Sequence, residues 1–198
     1  MENQANQVAQ LLTEIRCALE KRTKYPVVQQ TLDKLSLLNL ESSPVRALVP
    51  QTPAQFEADF DLAVENIPTS LDLLTQALKG ARSCLYWQPD GGQFYEEASD
   101  VGRSYREGNM ICTLVGPVNS CFYSNDLFIC LFFLQPQTLY RDHVHEASEM
   151  YFNLTGPCGF RLGNDDWVDY PGDSLVWNQP WAAHATRVYQ APFLSVVS

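Results

Sequence analysis

The sequence of this 198-residue chain predicts a mostly β fold, an antiparallel sandwich or barrel preceded by an α-helical extension. Three observations predict it. Apolar residues recur at helical spacing through roughly the first eighty positions. From Cys84 onward the chain becomes a series of short β-rich runs broken by Gly, Pro, Asn and Asp. Those runs follow one another without intervening helical patterns, which favours antiparallel pairing over a parallel sheet with crossover helices. The predicted division is therefore a helical extension over residues 1–83 and a β domain over residues 84–198.

In the extension, "NQVAQLLTEIRCALEK" places Val8, Leu11, Leu12, Ile15 and Leu19 on one helical face, and "YPVVQQTLDKLSLL" continues the pattern. "TPAQFEADFDLAVENI" reads as a third helix, with Thr52 as N-cap and Pro53 at the first helical position. Pro68, Thr69 and Ser70 end it and begin "SLDLLTQALKGAR", for which Gly80 is the expected stop. In the β domain the predicted strands are "MICTLVG", "LFICLFFL", "EMYFNLTG", "CGFRLG", "DSLVWN" and "FLSVV". The intervening turns are "QPDGGQ", "GPVNS", "LGNDD" and "YPGD". The chain carries no internal repeat and no low-complexity segment.

Length and composition bound the function. A chain of 198 residues holds one domain with a complete core, or one domain with an extension. A hydrophobic fraction of 45%, with 12% aromatic residues, excludes a disordered chain. The formal net charge of -10 repels phosphate backbones and anionic membranes, and no Lys/Arg cluster relieves it locally. No apolar run reaches the length of a membrane span. The opening residues carry acids and amides where a signal peptide would be basic and then apolar. The six cysteines form no CxxC pair and several lie in apolar runs, so a reducing cytoplasm is expected.

The chemistry gathers around "DHVHEASEMYFNLTG". On an extended strand successive side chains alternate faces, so His143 and His145 would point the same way, as would Glu149 and Tyr151 after a bend at "EAS". His184, at the end of "PGDSLVWNQPWAAH", is the last of three histidines, and a strand, a Pro180 turn and a return would bring it close. A lone His-x-His is commonly a solvated turn. Joined by Glu149, His184 and the β-rich context, it suits a divalent first-row metal, Fe, Zn, Mn, Ni or Co, with positions left open for a small molecule.

The spacing of His143, His145, Glu149 and Gly156 resembles the first motif of the cupins, and Gly172, Asp173, Pro180 and His184 are similar to the second. Gln137 stands where that motif usually has glycine. Tyr140, Tyr151, "LVGPVNS", "QPQTLYRDHVHEASEMYFNLTG" and "HAT" narrow the resemblance to the cupin-type dimethylsulfoniopropionate lyases, whose helical amino-terminal extension this chain matches in character. The resemblance implies a cupin β-barrel and a metal-dependent β-elimination that releases dimethyl sulfide and acrylate. The implied ligands are His145, Glu149 and His184, with His143 a fourth ligand or a partner behind them. The implied base is Tyr151, its phenol made more acidic by the cation, while Tyr140 positions substrate or shares the proton transfer.

A sulfonium attracts aromatic faces, for which Phe132 and, foremost, Phe133, Trp177 and Trp181 are candidates. The expected partner is a small zwitterionic or carboxylate substrate, bound by a monomer or homodimer, with no nucleic acid or membrane involved. The same ligand set also serves dioxygenases or isomerases acting on small acids, and cupins that only bind a small molecule.

Overall fold

A computed structural model describes residues 2–40, 49–90 and 99–198. Part of the expected "QPDGGQ" turn lies outside the described residues. Helices α1 (Glu2–Glu20), α2 (Pro26–Ser36), α3 (Glu57–Glu65) and α4 (Asp72–Ala81) form the amino-terminal part, and a short α5 (Arg103–Gly108) precedes the strands. Ten strands follow: β1 (Asn109–Gly116), β2 (Phe122–Tyr123), β3 (Ile129–Leu134), β4 (Leu139–His143), β5 (Glu149–Asn153), β6 (Cys158–Leu162), β7 (Val168–Tyr170), β8 (Ser174–Asn178), β9 (His184–Val188) and β10 (Phe193–Val197).

Two helix boundaries differ from expectation. Pro53 is extended and itself occupies the N-cap of a 3-10 turn, Ala54–Phe56, that leads into α3, so Thr52 makes no cap there. Gly80 lies within the last turn of α4, and the chain runs on through a 3-10 turn at Arg82–Cys84 instead of stopping in a left-handed conformation.

The strands form a six-stranded sheet, ordered β2-β1-β3-β10-β5-β8, and a four-stranded sheet, ordered β4-β9-β6-β7. All pairs are antiparallel except β1 with β2. The larger sheet is buried on both faces, which explains the nearly unbroken apolar runs of β1 and β3. Its outer face, including Met110, Leu131, Phe133, Met150, Phe152 and Val196, shares one core with the helices. Its inner face, including Ile111, Phe132, Tyr151, Val176 and Val197, packs against Tyr140, Phe160 and Val188 of the smaller sheet. This is the expected mostly β fold, two sheets packed face to face and covered on one side by the amino-terminal helices.

The unpredicted strands β4 and β9 are the ones that carry His143 and His184. They pair antiparallel, with Tyr140 opposite Thr186 and His143 opposite His184. The register shifts between those two pairs, so a bulge lets an even and an odd position both face the interior.

Candidate metal centre and cavity

Three short segments converge at one end of the barrel. His143 closes β4, His145 follows in the connection to β5, Glu149 opens β5 and His184 opens β9. His145 therefore does not reach the others by strand alternation. Its carbonyl accepts a hydrogen bond from the Trp181 amide (2.9 Å), which ties its loop to the β8–β9 connection. The ligand atoms of His143, His145 and His184 lie within 4.8 Å of one another. The Oε2 atom of Glu149 is 3.4 Å from His145 Nε2 and 3.3 Å from His184 Nε2.

Backbone geometry sets the tautomers. The Nδ1 atoms of His143, His145 and His184 each lie 2.9 Å from a carbonyl oxygen, those of Arg141, Ala147 and Ala182 respectively. A carbonyl can only accept, so each Nδ1 carries the proton and donates it. Each Nε2 then keeps its lone pair, the arrangement of a metal-binding imidazole held from behind. His184 Nε2 is wholly buried and makes no hydrogen bond. An orphaned buried acceptor beside two further imidazoles and a carboxylate fits a divalent cation, and these four residues can hold one.

Within the cluster the Glu149 carboxylate raises the His145 imidazole above its ordinary value, so a cation held there competes with a proton. Burial, and then the neighbouring His184, lowers the His143 imidazole to about 4, keeping it neutral. Burial alone would raise the Glu149 carboxyl, but the imidazoles of His145 and His184 outweigh it and hold the group ionised, well below the usual carboxylate range. The Asn178 side chain, directly across on β8, donates to Glu149 Oε2 at 2.7 Å.

A cavity of about 660 Å³ reaches this cluster and is lined there by His145 and Glu149. Tyr151, Tyr140, Tyr105 and Phe132 form its aromatic wall. The Phe132 ring centroid lies 5.8 Å from that of Tyr151 and 6.4 Å from that of Tyr140. Tyr140 stands between two parallel rings, His143 at 3.8 Å and Tyr105 at 3.6 Å. Burial, and then the Glu149 charge, raises the Tyr151 phenol well above its ordinary value, so the protein alone opposes the acidification expected of it. Helix α2 supplies further wall through Val27, Gln30, Thr31 and Lys34.

Three residues expected at the substrate are placed elsewhere. Phe133 faces the helices, edge-on to Phe56 and Phe60 at 6.0 and 6.1 Å, because it is one position out of phase with the inward Phe132. Trp177 has the same outward parity on β8 and donates from Nε1 to Ser148 Oγ at 2.9 Å. Trp181, with a positive φ of 61°, leaves its ring 66% exposed. None of the three lines the cavity. Tyr105 and Asp90, which do, gave no local signal, since nothing in their own segments marks them and only the fold brings them to β4.

The dimethylsulfoniopropionate lyase family profile matches residues 27–195. The chain is 26% identical over 160 residues to dimethylsulfoniopropionate lyase DddQ of Ruegeria pomeroyi, covering 80% of this chain and 74% of that one. Its fold is shared with a crystal structure reported among those of the DMSP lyases RdDddP and RnDddQII, at a TM-score of 0.71 and 20% identity, covering 98% of this chain and 92% of the other. It is likewise shared with that of DMSP lyase DddQ from Ruegeria pomeroyi, at a TM-score of 0.68 and 20% identity over 97% and 90%.

Proposed function

Because the chain belongs to the dimethylsulfoniopropionate lyase family, we propose that it cleaves dimethylsulfoniopropionate by β-elimination, with a divalent first-row metal held by His143, His145, Glu149 and His184. The observation that carries this reading is the convergence of three backbone-tethered imidazoles and an ionised carboxylate at a cavity walled by buried phenols. When bound, such a metal supplies a Lewis acid for the charge that develops on the substrate carboxylate, and a field that favours the phenolate of Tyr151.

The chain's own residues supply the rest. Tyr151 stands two positions from Glu149 on β5 and both line the cavity, so the phenol faces a substrate whose carboxylate is held at the cluster. Tyr151 Oη accepts the proton from that carbon. The electron pair of the broken C–H bond forms the double bond of acrylate, and the pair of the breaking C–S bond leaves with dimethyl sulfide. Tyr140, fixed by its two stacked neighbours, orients the substrate with little freedom of its own. Phe132 and Phe160, edge-on to Tyr151, keep water away from the phenol.

Proton NMR of the metal-loaded protein with dimethylsulfoniopropionate tests the reading. Acrylate and dimethyl sulfide should appear in equal amounts, and a chelator should stop both. Loss of substrate with oxygen uptake and no acrylate would replace elimination by oxidation.

A further inference from the structure

The cavity holds a second built feature. The Asp90 amide donates to Asn109 Oδ1 at 2.6 Å, Asn109 Nδ2 donates to the Tyr105 carbonyl at 2.7 Å, and the Tyr105 hydroxyl donates back to Asp90 Oδ2. Asn109 is 1% exposed and Tyr105 is also buried, so this closed ring of three hydrogen bonds rests on fixed groups and presents a carboxylate at the cavity wall. Tyr105 stacks on Tyr140 and Tyr140 on His143, which puts Asp90 at the far end of a three-ring stack from the imidazole cluster.

We propose that Asp90, braced by Tyr105 and Asn109, receives a fixed positive charge on the ligand, so that the cavity selects zwitterionic acids over acids of the same shape that lack that charge. The inference rests on the lyase reading and assigns the opposite end of the same site. Three further observations support it. The described lining carries four acids, Asp90, Asp126, Glu146 and Glu149, against the single cation Lys34, whose Nζ donates to the Asp126 carbonyl at 2.7 Å. Such a concave acidic surface focuses a field that attracts cations. Phe128 and Phe132, also in the lining, offer apolar surface for the methyl groups of an onium centre. Both faces of Tyr140 are already covered by rings, so attraction at this end of the stack falls to a carboxylate and not to the aromatic face nearest the imidazoles.

Calorimetry on the metal-loaded protein tests this with an isosteric pair, the zwitterion 3-(trimethylammonio)propanoate and its carbon counterpart 4,4-dimethylpentanoate, an anion that lacks the fixed positive charge. The parent should bind the zwitterion at least about tenfold more tightly. Asp90→Asn keeps an acceptor for the Tyr105 hydroxyl and removes the charge, so it should weaken the zwitterion relative to the anion and shrink the preference severalfold, with the circular dichroism spectrum unchanged. An equal preference in Asp90→Asn, or none in the parent, overturns the proposal. A preference that depends on Asp90 without release of dimethyl sulfide would uphold this subsite and refute the lyase reading. Release of dimethyl sulfide with a preference indifferent to Asp90 would do the reverse.

Discussion

Tyr151 lies between Phe132 and Phe160 on the inner face of β5, 1% exposed and beside the carboxylate that opens the strand. If its phenolate is the base, Tyr151→Phe preserves the ring and its packing and removes only the proton acceptor. Turnover should then fall by a factor of about one hundred or more, with metal content and thermal midpoint close to the parent's. Steady-state rates beside metal analysis check this, and parental turnover with metal intact would place the base elsewhere. His184→Ala removes a fully buried ligand atom and should instead lose the metal, and activity with it. Phe133 provides a contrast one position from Phe132. Buried against Phe56 and Phe60, Phe133→Ala should cost about 3–5 kcal/mol of stability in denaturant unfolding and leave KM unchanged. An altered KM with unaltered stability would contradict its placement. The sequence showed that "LFICLFFL" is apolar throughout, and a strand covered on both faces has no alternation from which to tell inward from outward. Phe133 and Trp177 were therefore read one step out of phase, whereas His143, His145, Glu149 and His184, each marked by its own chemistry, could be grouped without knowing the face.

At the level of elements, α1 is fastened to the barrel by Arg22. One of its Nη atoms donates to the Ala18 carbonyl near the end of α1, the other to Asp173, and the guanidinium lies 4.7 Å over the Phe152 ring. Ser70 donates to the other Asp173 oxygen at 2.7 Å, so one turn residue before β8 joins two parts of the helical layer. Arg22→Ala should destabilise the protein by about 1 kcal/mol, read from urea unfolding, because it leaves a partly buried carboxylate short of its charged donor. An unchanged midpoint would show that packing alone holds the helices. The Gly-Asp turn was visible in the sequence as a turn, but its clamp to α1 was not, since a contact across 151 positions has no local signature. The bulge in β4 was equally hidden. It sets Tyr140 and His143 on one side of the sheet, where alternation alone would separate them. His145 lies beside His143 through a loop pinned by the Trp181 amide and not through strand alternation, whereas Glu149 is held on β5 opposite Asn178.

For the molecule as a whole, the larger sheet divides the interior into an outer core shared with the helices and an inner core that ends at the imidazole cluster. The helical layer is part of the site, because α2 lines the cavity through Thr31 and Lys34. All six cysteines are free thiols, and five are buried. Burial, the first cause in each case, pushes the Cys112, Cys130 and Cys158 thiols well above their ordinary range. A thiol reagent should therefore titrate about one cysteine, Cys17, in the native protein and all six after unfolding in guanidinium. Fast modification of several native thiols would contradict the closed interior. Among the described residues no helix is long and apolar enough to cross a membrane. Under the proposed function, the four-residue cluster holds a metal required for turnover. Headspace measurement of dimethyl sulfide during stepwise addition of metal to the chelator-stripped protein tests it most directly. The rate should rise in proportion to metal and level off near one equivalent per chain; a rate indifferent to metal, or none at full occupancy with any of Fe, Zn, Mn, Ni or Co, would contradict it.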